Sequence, residues 1–188
     1  AKSSRAWLFA CVVSGPLSGR EVEMDVQRLS GLDYFSGMKA QEVEVVAGAM
    51  REDAWWDGSV VVQQGDQKGS VYFVLEGSIQ VERRLENGEI VVVGHLGPGA
   101  VFGILGVLDG APRAATCVAQ GTVRCAIMDR KDFLDLMNGA TPLAMRFQVA
   151  VLRCLARDIR STNGRLTELA ALPSCKLTLE DLEEVFTD

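Results

Sequence analysis

From Asp57 to Met128 the chain is a succession of short β-rich segments separated by turn residues, and no other feature narrows the possible fold as much. Six strands are predicted, over 60–63, 71–75, 78–83, 90–95, 114–119 and 123–128, each bounded by Gly, Asp or Asn. Strands this short, spaced this regularly and with no helical pattern between them, close into a sandwich or jelly roll rather than a helix-covered parallel sheet.

Helical patterning lies on both sides of this run. Before it, Ser36 is placed to cap a helix over 39–50, with Val43, Val46 and Met50 on one face. After it, a helix starts at Asp129-Arg130 and stops near Asn138-Gly139. A long helix over 141–172 follows, with Pro142 in its first turn and Pro173 at its end. Met145, Leu152, Ile159 and Leu166 recur at heptad spacing, with Leu155, Thr162 and Leu169 at the other seam position. This pattern predicts a parallel dimer through Ile159, Thr162, Leu166 and Leu169. Phe147, Val151 and Cys154 form a second stripe, expected to face the strands. The apolar run 6–14 ahead of Gly15-Pro16 predicts a hairpin in an N-terminal extension. A short acidic helix is predicted over 179–186, with Thr178 placed to cap it.

Composition excludes several functions. The net charge of −6 gives no basic face for sequence-independent nucleic-acid binding. The five cysteines contain no Cys-x-x-Cys pair, and scattered thiols in odd number suit a reducing, cytoplasmic setting. His95 is the only histidine, too few for a cupin-like metal centre. No nucleophile–base pair and no paired carboxylates form a motif, so no enzyme activity and no cofactor are expected. The longest apolar run near the N-terminus, 6–13, cannot span a bilayer.

One block carries chemistry. Gly97-Pro98-Gly99-Ala100-Val101-Phe102-Gly103-Ile104-Leu105-Gly106-Val107-Leu108-Asp109-Gly110-Ala111-Pro112-Arg113-Ala114-Ala115 reads as a glycine-bounded turn, one turn of apolar helix, a second tight turn, and an arginine opening a strand. Amide N–H groups at a helix start and an arginine fork together suit a small buried anion. The block resembles the phosphate-binding cassette of cyclic nucleotide-binding domains, in which Phe-Gly-Glu-Leu-Ala-Leu is followed by Pro-Arg-Ala or Pro-Arg-Ser-Ala. Leu32-Asp33-Tyr34-Phe35-Ser36-Gly37-Met38 resembles the same family's Leu-x-x-Phe-x-x-Leu segment, and the resemblance runs over about residues 29–172.

The resemblance implies a jelly roll of about eight strands with flanking helices and a long C-terminal helix. It divides the chain into an extension (1–28), a roll with its leading helices (29–140), a lid and dimerisation helix (141–172) and an acidic tail (173–188). It implies a phosphate of cAMP or cGMP held by Arg113, by the amides of Gly103, Leu105 and Gly106, and by Ala114. Ala114 stands where many members carry a hydroxyl donor. Ile104 occupies the position of the glutamate that holds the ribose hydroxyl, so this wall of the pocket is apolar. Alignment with catabolite-activator relatives brings Thr162 and Asn163 to the base. The helix-turn-helix module of those relatives is not expected, because 173–188 is short and acidic. Two functions remain open: a ligand-sensing regulatory domain that signals through its C-terminal helix, and a ligand-free dimerisation or docking module on the same fold.

Overall fold

The computed structural model describes residues 24–67 and 69–171. The expected N-terminal hairpin and the acidic helix over 179–186 lie outside these residues. The chain forms two compact units, residues 1–148 and 149–188.

In the first unit, α1 (Val26–Ser30), a short 3-10 turn (Asp33–Phe35) and α2 (Ala40–Ala47) lead into the strands. Asp25 caps α1, its carboxylate accepting from the amides of Gln27 and Arg28. The N-cap of α2 is Lys39, not Ser36, and Glu42 reaches back to the Lys39 amide at 2.8 Å. Val43 and Val46 are buried as expected. Met50 is not helical: Gly48 ends α2, and β1 (Met50–Trp55) begins two residues later.

The sheet is antiparallel, in the order β1–β6–β3–β4, with β2 (Val60–Val62) paired to β6 and β5 (Val101–Phe102) to β3. β3 (Ser70–Arg84) joins two of the expected strands, and β6 (Thr116–Asp129) joins two more. Among the described residues six strands form, in an antiparallel sheet with flanking helices, against the about eight that the resemblance implied. The joint in β3 is a bulge at Glu76–Ser78, where Gly77 has φ of 81° and a Cβ would lie 2.4 Å from the Thr122 carbonyl oxygen. Only glycine fits there. β4 (Ile90–Leu96) pairs with β3 from Ile79↔Leu96 to Arg84↔Ile90.

One core cluster gathers Trp55, Val62, Val74, Ile79, Cys117, Ala119, Val123, Cys125 and Ile127 between the strands. Trp55 packs here, while its neighbour Trp56 is exposed. A second cluster is aromatic: Tyr34 meets Phe35, Phe73 and Phe147 edge-on, and Phe147 meets Phe133 of α4 (Arg130–Asn138). Thus the leading helices, β3, α4 and the start of α5 (Pro142–Ala170) share one core. Gln148 fixes that start by donating to the carbonyls of Met137 and Gly139, and Arg146 pairs with Glu42.

In the second unit α5 continues to Ala170. Val151 is buried and Cys154 half-buried, and from Arg157 onward the described side chains are exposed. Met145, Leu152, Ile159 and Leu166 are exposed. Of the other positions on the helix, Val149, Thr162 and Asn163 are exposed, while Leu155 and Ala156 are both half-buried. The Leu169 side chain lies outside the described residues. No described helix is long and apolar enough to cross a membrane.

Candidate functional site

The 97–115 block folds as its residue types dictate. Gly103 takes the left-handed conformation, φ 86° and ψ 0°, and starts α3 (Ile104–Leu108) without any side-chain cap. Asp109 ends the helix, and its carboxylate accepts from the Ala111 amide at 2.9 Å to shape the second turn. The chain then reaches Arg113. Its main chain is clamped to the 65–66 turn: the Arg113 amide donates to the Asp66 carbonyl at 2.9 Å, and the Gly65 amide donates to the Arg113 carbonyl at 2.8 Å.

The Arg113 residue is 6% exposed. Nη1 donates to the Gly103 carbonyl at 2.7 Å and Nη2 to the Ser70 carbonyl at 2.6 Å. Among the described residues no carboxylate pairs with it. Burial pulls the guanidinium below its ordinary pKa, opposed by Tyr72, Cys117 and Asp66. Tyr72 and Cys117 are neutral near pH 7: burial raises both, the Cys117 thiol to about 12. The guanidinium itself keeps its proton. The site is therefore a buried cation touching main-chain oxygens, with three N–H donors beyond the two hydrogen bonds described.

Gly103 is required for this geometry. A Cβ there would stand 2.5 Å from Arg113 Nη1 and 2.7 Å from the Ser70 carbonyl oxygen. Asp129 supports the second carbonyl from behind. Its Oδ1 accepts from Ser70 Oγ at 3.0 Å and from Arg51 Nη1 at 2.8 Å, and the Arg51 bond holds its carboxyl below the usual range. Arg130, the first residue of α4, donates from Nη1 to the Gly106 carbonyl at 3.1 Å and from its amide to the Gly69 carbonyl at 2.9 Å. One residue, through its side chain and its amide, thus ties α3, the loop before β3 and α4 together. Tyr72 stacks on Phe102, centroids 4.8 Å apart, on the apolar side.

Of the residues expected at the site, Arg113, Gly103, Ile104, Leu105, Gly106 and Ala114 come together here. Ile104 is 3% exposed and offers no acceptor. Leu105 is 63% exposed, and Ala114 is also exposed. Thr162 and Asn163 are exposed on α5, in the other unit. Ser70, Asp129 and Arg130 were not foreseen. Ser70 acts through its carbonyl, which every residue type possesses, so no sequence pattern marks it. Asp129-Arg130 was legible only as a helix start. His95 is exposed, and among the described residues no His, Cys, Asp and Glu group could hold a metal.

Residues 55–139 match the family model of the cyclic nucleotide-binding domain. A cAMP-dependent protein kinase regulatory subunit from Mucor circinelloides f. lusitanicus is 33% identical over 118 residues, which are 63% of this chain and 27% of that subunit. The chain therefore spans about a quarter of the length of that relative. A cyclic nucleotide-binding domain from Methylobacillus flagellatus has the same fold, with a TM-score of 0.68 at 23% identity, covering 78% of this chain and 82% of that one. The regulatory domain of Toxoplasma gondii PKA, solved with cAMP, has a TM-score of 0.58 at 28% identity, covering 68% and 48%.

Proposed function

We propose, from the match of residues 55–139 to the family model of the cyclic nucleotide-binding domain, that this chain is a ligand-sensing regulatory domain that takes the phosphate of a cyclic nucleotide on Arg113. The observation that carries the reading is the buried, unneutralised Arg113 guanidinium. A desolvated cation without a counter-charge is costly for a fold to keep, and an anion arriving at its free donors restores the balance. The uncapped start of α3 adds amide donors at the same place. The role is binding and regulation rather than catalysis. The signal leaves the cradle through Arg130. Drawing the Gly106 carbonyl toward or away from it shifts α4 with α3, a bias between two packings.

Ile104 sets the ligand class. A ribose hydroxyl buried against it loses an acceptor, at about 1–3 kcal/mol, or roughly five- to more than a hundred-fold in affinity. The phosphate half of the ligand is thus read by charge, and the sugar half by fit against an apolar wall. The same residue favours the second reading, a ligand-free docking module. Titration calorimetry and thermal shift with cAMP, cGMP and inorganic phosphate, on wild type and Arg113→Met, separate the two. Binding seen in wild type and lost in Arg113→Met supports the sensor. A ligand at one hundred times its Kd adds about 2.7 kcal/mol of stability. No heat and no shift with any of the three leaves the docking module.

A further inference from the structure

Tyr72 stands beside the Arg113 guanidinium, and its hydroxyl takes no part in holding the fold. Tyr72 of β3 lies opposite Phe102 of β5 in an antiparallel pair. The two carbonyls that hold the guanidinium flank this pair. Ser70 stands two residues before Tyr72 in β3, and Gly103 directly follows Phe102. Arg113 and the Tyr72–Phe102 pair therefore share one corner of the roll. Both rings pack against the core cluster, yet both are only half-buried.

The Tyr72 ring is gripped on two sides. It stacks on Phe102 with the planes 8° apart, and Trp55 meets it edge-on with centroids 6.3 Å apart. Its hydroxyl is different: among the described residues it makes no hydrogen bond. A phenylalanine would fill the same space, so packing does not account for the oxygen. The phenol feels the charge of Arg113. Burial raises the Tyr72 pKa, and Arg113 is the foremost group opposing that rise. Tyr72 in turn is foremost in opposing the fall at Arg113. The phenol keeps its proton near pH 7 and offers one O–H donor. A guanidinium has no lone pair to receive that donor, whereas an anion seated on the guanidinium does. Ala114, next to Arg113, brings no side-chain donor of its own.

We propose that the Tyr72 hydroxyl is a second anchor for the ligand, donating to one free oxygen of the phosphate while Arg113 takes the other. The inference rests on the reading that Arg113 receives a phosphate. A cyclic phosphodiester carries two unesterified oxygens, one for each group. The ring is fixed between Phe102 and Trp55 before any ligand arrives, so little side-chain freedom is lost when the contact forms.

The test joins calorimetry to the nuclear magnetic resonance of tyrosine labelled with carbon-13 at the ring carbon that bears the hydroxyl. Tyr34 and Tyr72 are the only tyrosines, so two resonances are followed, assigned with Tyr34→Phe. Wild type, Tyr72→Phe and Arg113→Met are titrated with cAMP, cGMP and inorganic phosphate. Tyr72→Phe keeps the stacked ring and removes one oxygen. The expected result is binding about ten-fold weaker in Tyr72→Phe, with the ligand-free melting temperature unchanged. The Tyr72 resonance should move on saturation of wild type and stay still in Arg113→Met. The spectrum is read on the wild-type chain, so it stands even if Tyr72→Phe is less stable. Wild type and Tyr72→Phe binding equally, with Arg113→Met inert, overturns this inference alone. So does a Tyr72 resonance unmoved by saturating ligand, or inorganic phosphate that binds both proteins equally. No binding of any of the three to wild type overturns the phosphate reading of Arg113 and this inference together.

Discussion

Arg113 and Arg124 lie at the two ends of the same stretch of chain and are handled in opposite ways. Arg124, in β6, meets the carboxylate of Glu52 across the β1–β6 ladder, Nε to Oε1 at 2.6 Å. The Glu52 side chain is 3% exposed and that of Arg124 is 33%. Charge is cancelled there by a partner encoded in the chain. Arg113 is buried more deeply than Arg124, yet it touches only carbonyl oxygens. The first pair completes itself during folding. The second has no carboxylate within ion-pair distance among the described residues, and that difference is what supports the proposal that Arg113 receives an anion.

The largest expected effect tests the receptor half. Arg113→Met should weaken cyclic nucleotide binding by roughly 2–5 kcal/mol, measured by calorimetry, while the melting temperature of the ligand-free protein stays close to wild type. A mutant that binds undiminished breaks the comparison. Arg124→Met is the mirror experiment. It strands a buried carboxylate and should cost about 3 kcal/mol of stability in urea unfolding, with ligand affinity unchanged in what remains folded. Ile104→Glu sharpens the ligand class. It should tighten cAMP or cGMP by about 1–3 kcal/mol and leave inorganic phosphate unaffected, since only the sugar gains an acceptor.

The smallest effect is at Asp129. Its folded pKa lies below the unfolded value because of Arg51, so its contribution to stability is present above pH about 4 and is lost as the pH falls through the folded value. Both partners are about half exposed, so Asp129→Asn should change stability by no more than about 1 kcal/mol. The readout is acid unfolding, in which the mutant should lose part of the slope below pH about 4.

The elements legible in the sequence were those decided by local chemistry. Gly103, the Pro112-Arg113 turn and the strands flanking them follow from residue type alone. β1 did not. Arg51-Glu52-Asp53 reads as a solvated run, and Met50 fits the helical spacing of Val43 and Val46. The strand forms by pairing with β6 along its length, from Met50↔Met128 to Trp55↔Val123, with Glu52 meeting Arg124 seventy-two residues away, a pairing no local window contains. The joining of four expected strands into two has the same origin. Gly77 reads as a turn until the Thr122 carbonyl closes over it. On α5 the exposed residues Met145, Leu152, Ile159 and Leu166 follow the period read from the sequence, whereas the burial of Phe147 depends on aromatic partners far away in the chain. At the site, the side-chain donor was readable and the main-chain acceptors were not.

That last asymmetry bears on how such a domain changes over time. The oxygens that hold Arg113 belong to the peptide backbone, and a carbonyl has no codon. Point mutation at Ser70 swaps its side chain and leaves its grip on the guanidinium, whereas Gly103 and Arg113 themselves are intolerant. Ile104 and Ala114, by contrast, act through side chains, so substitution there changes what a bound molecule would meet while the backbone oxygens around Arg113 stay as they are.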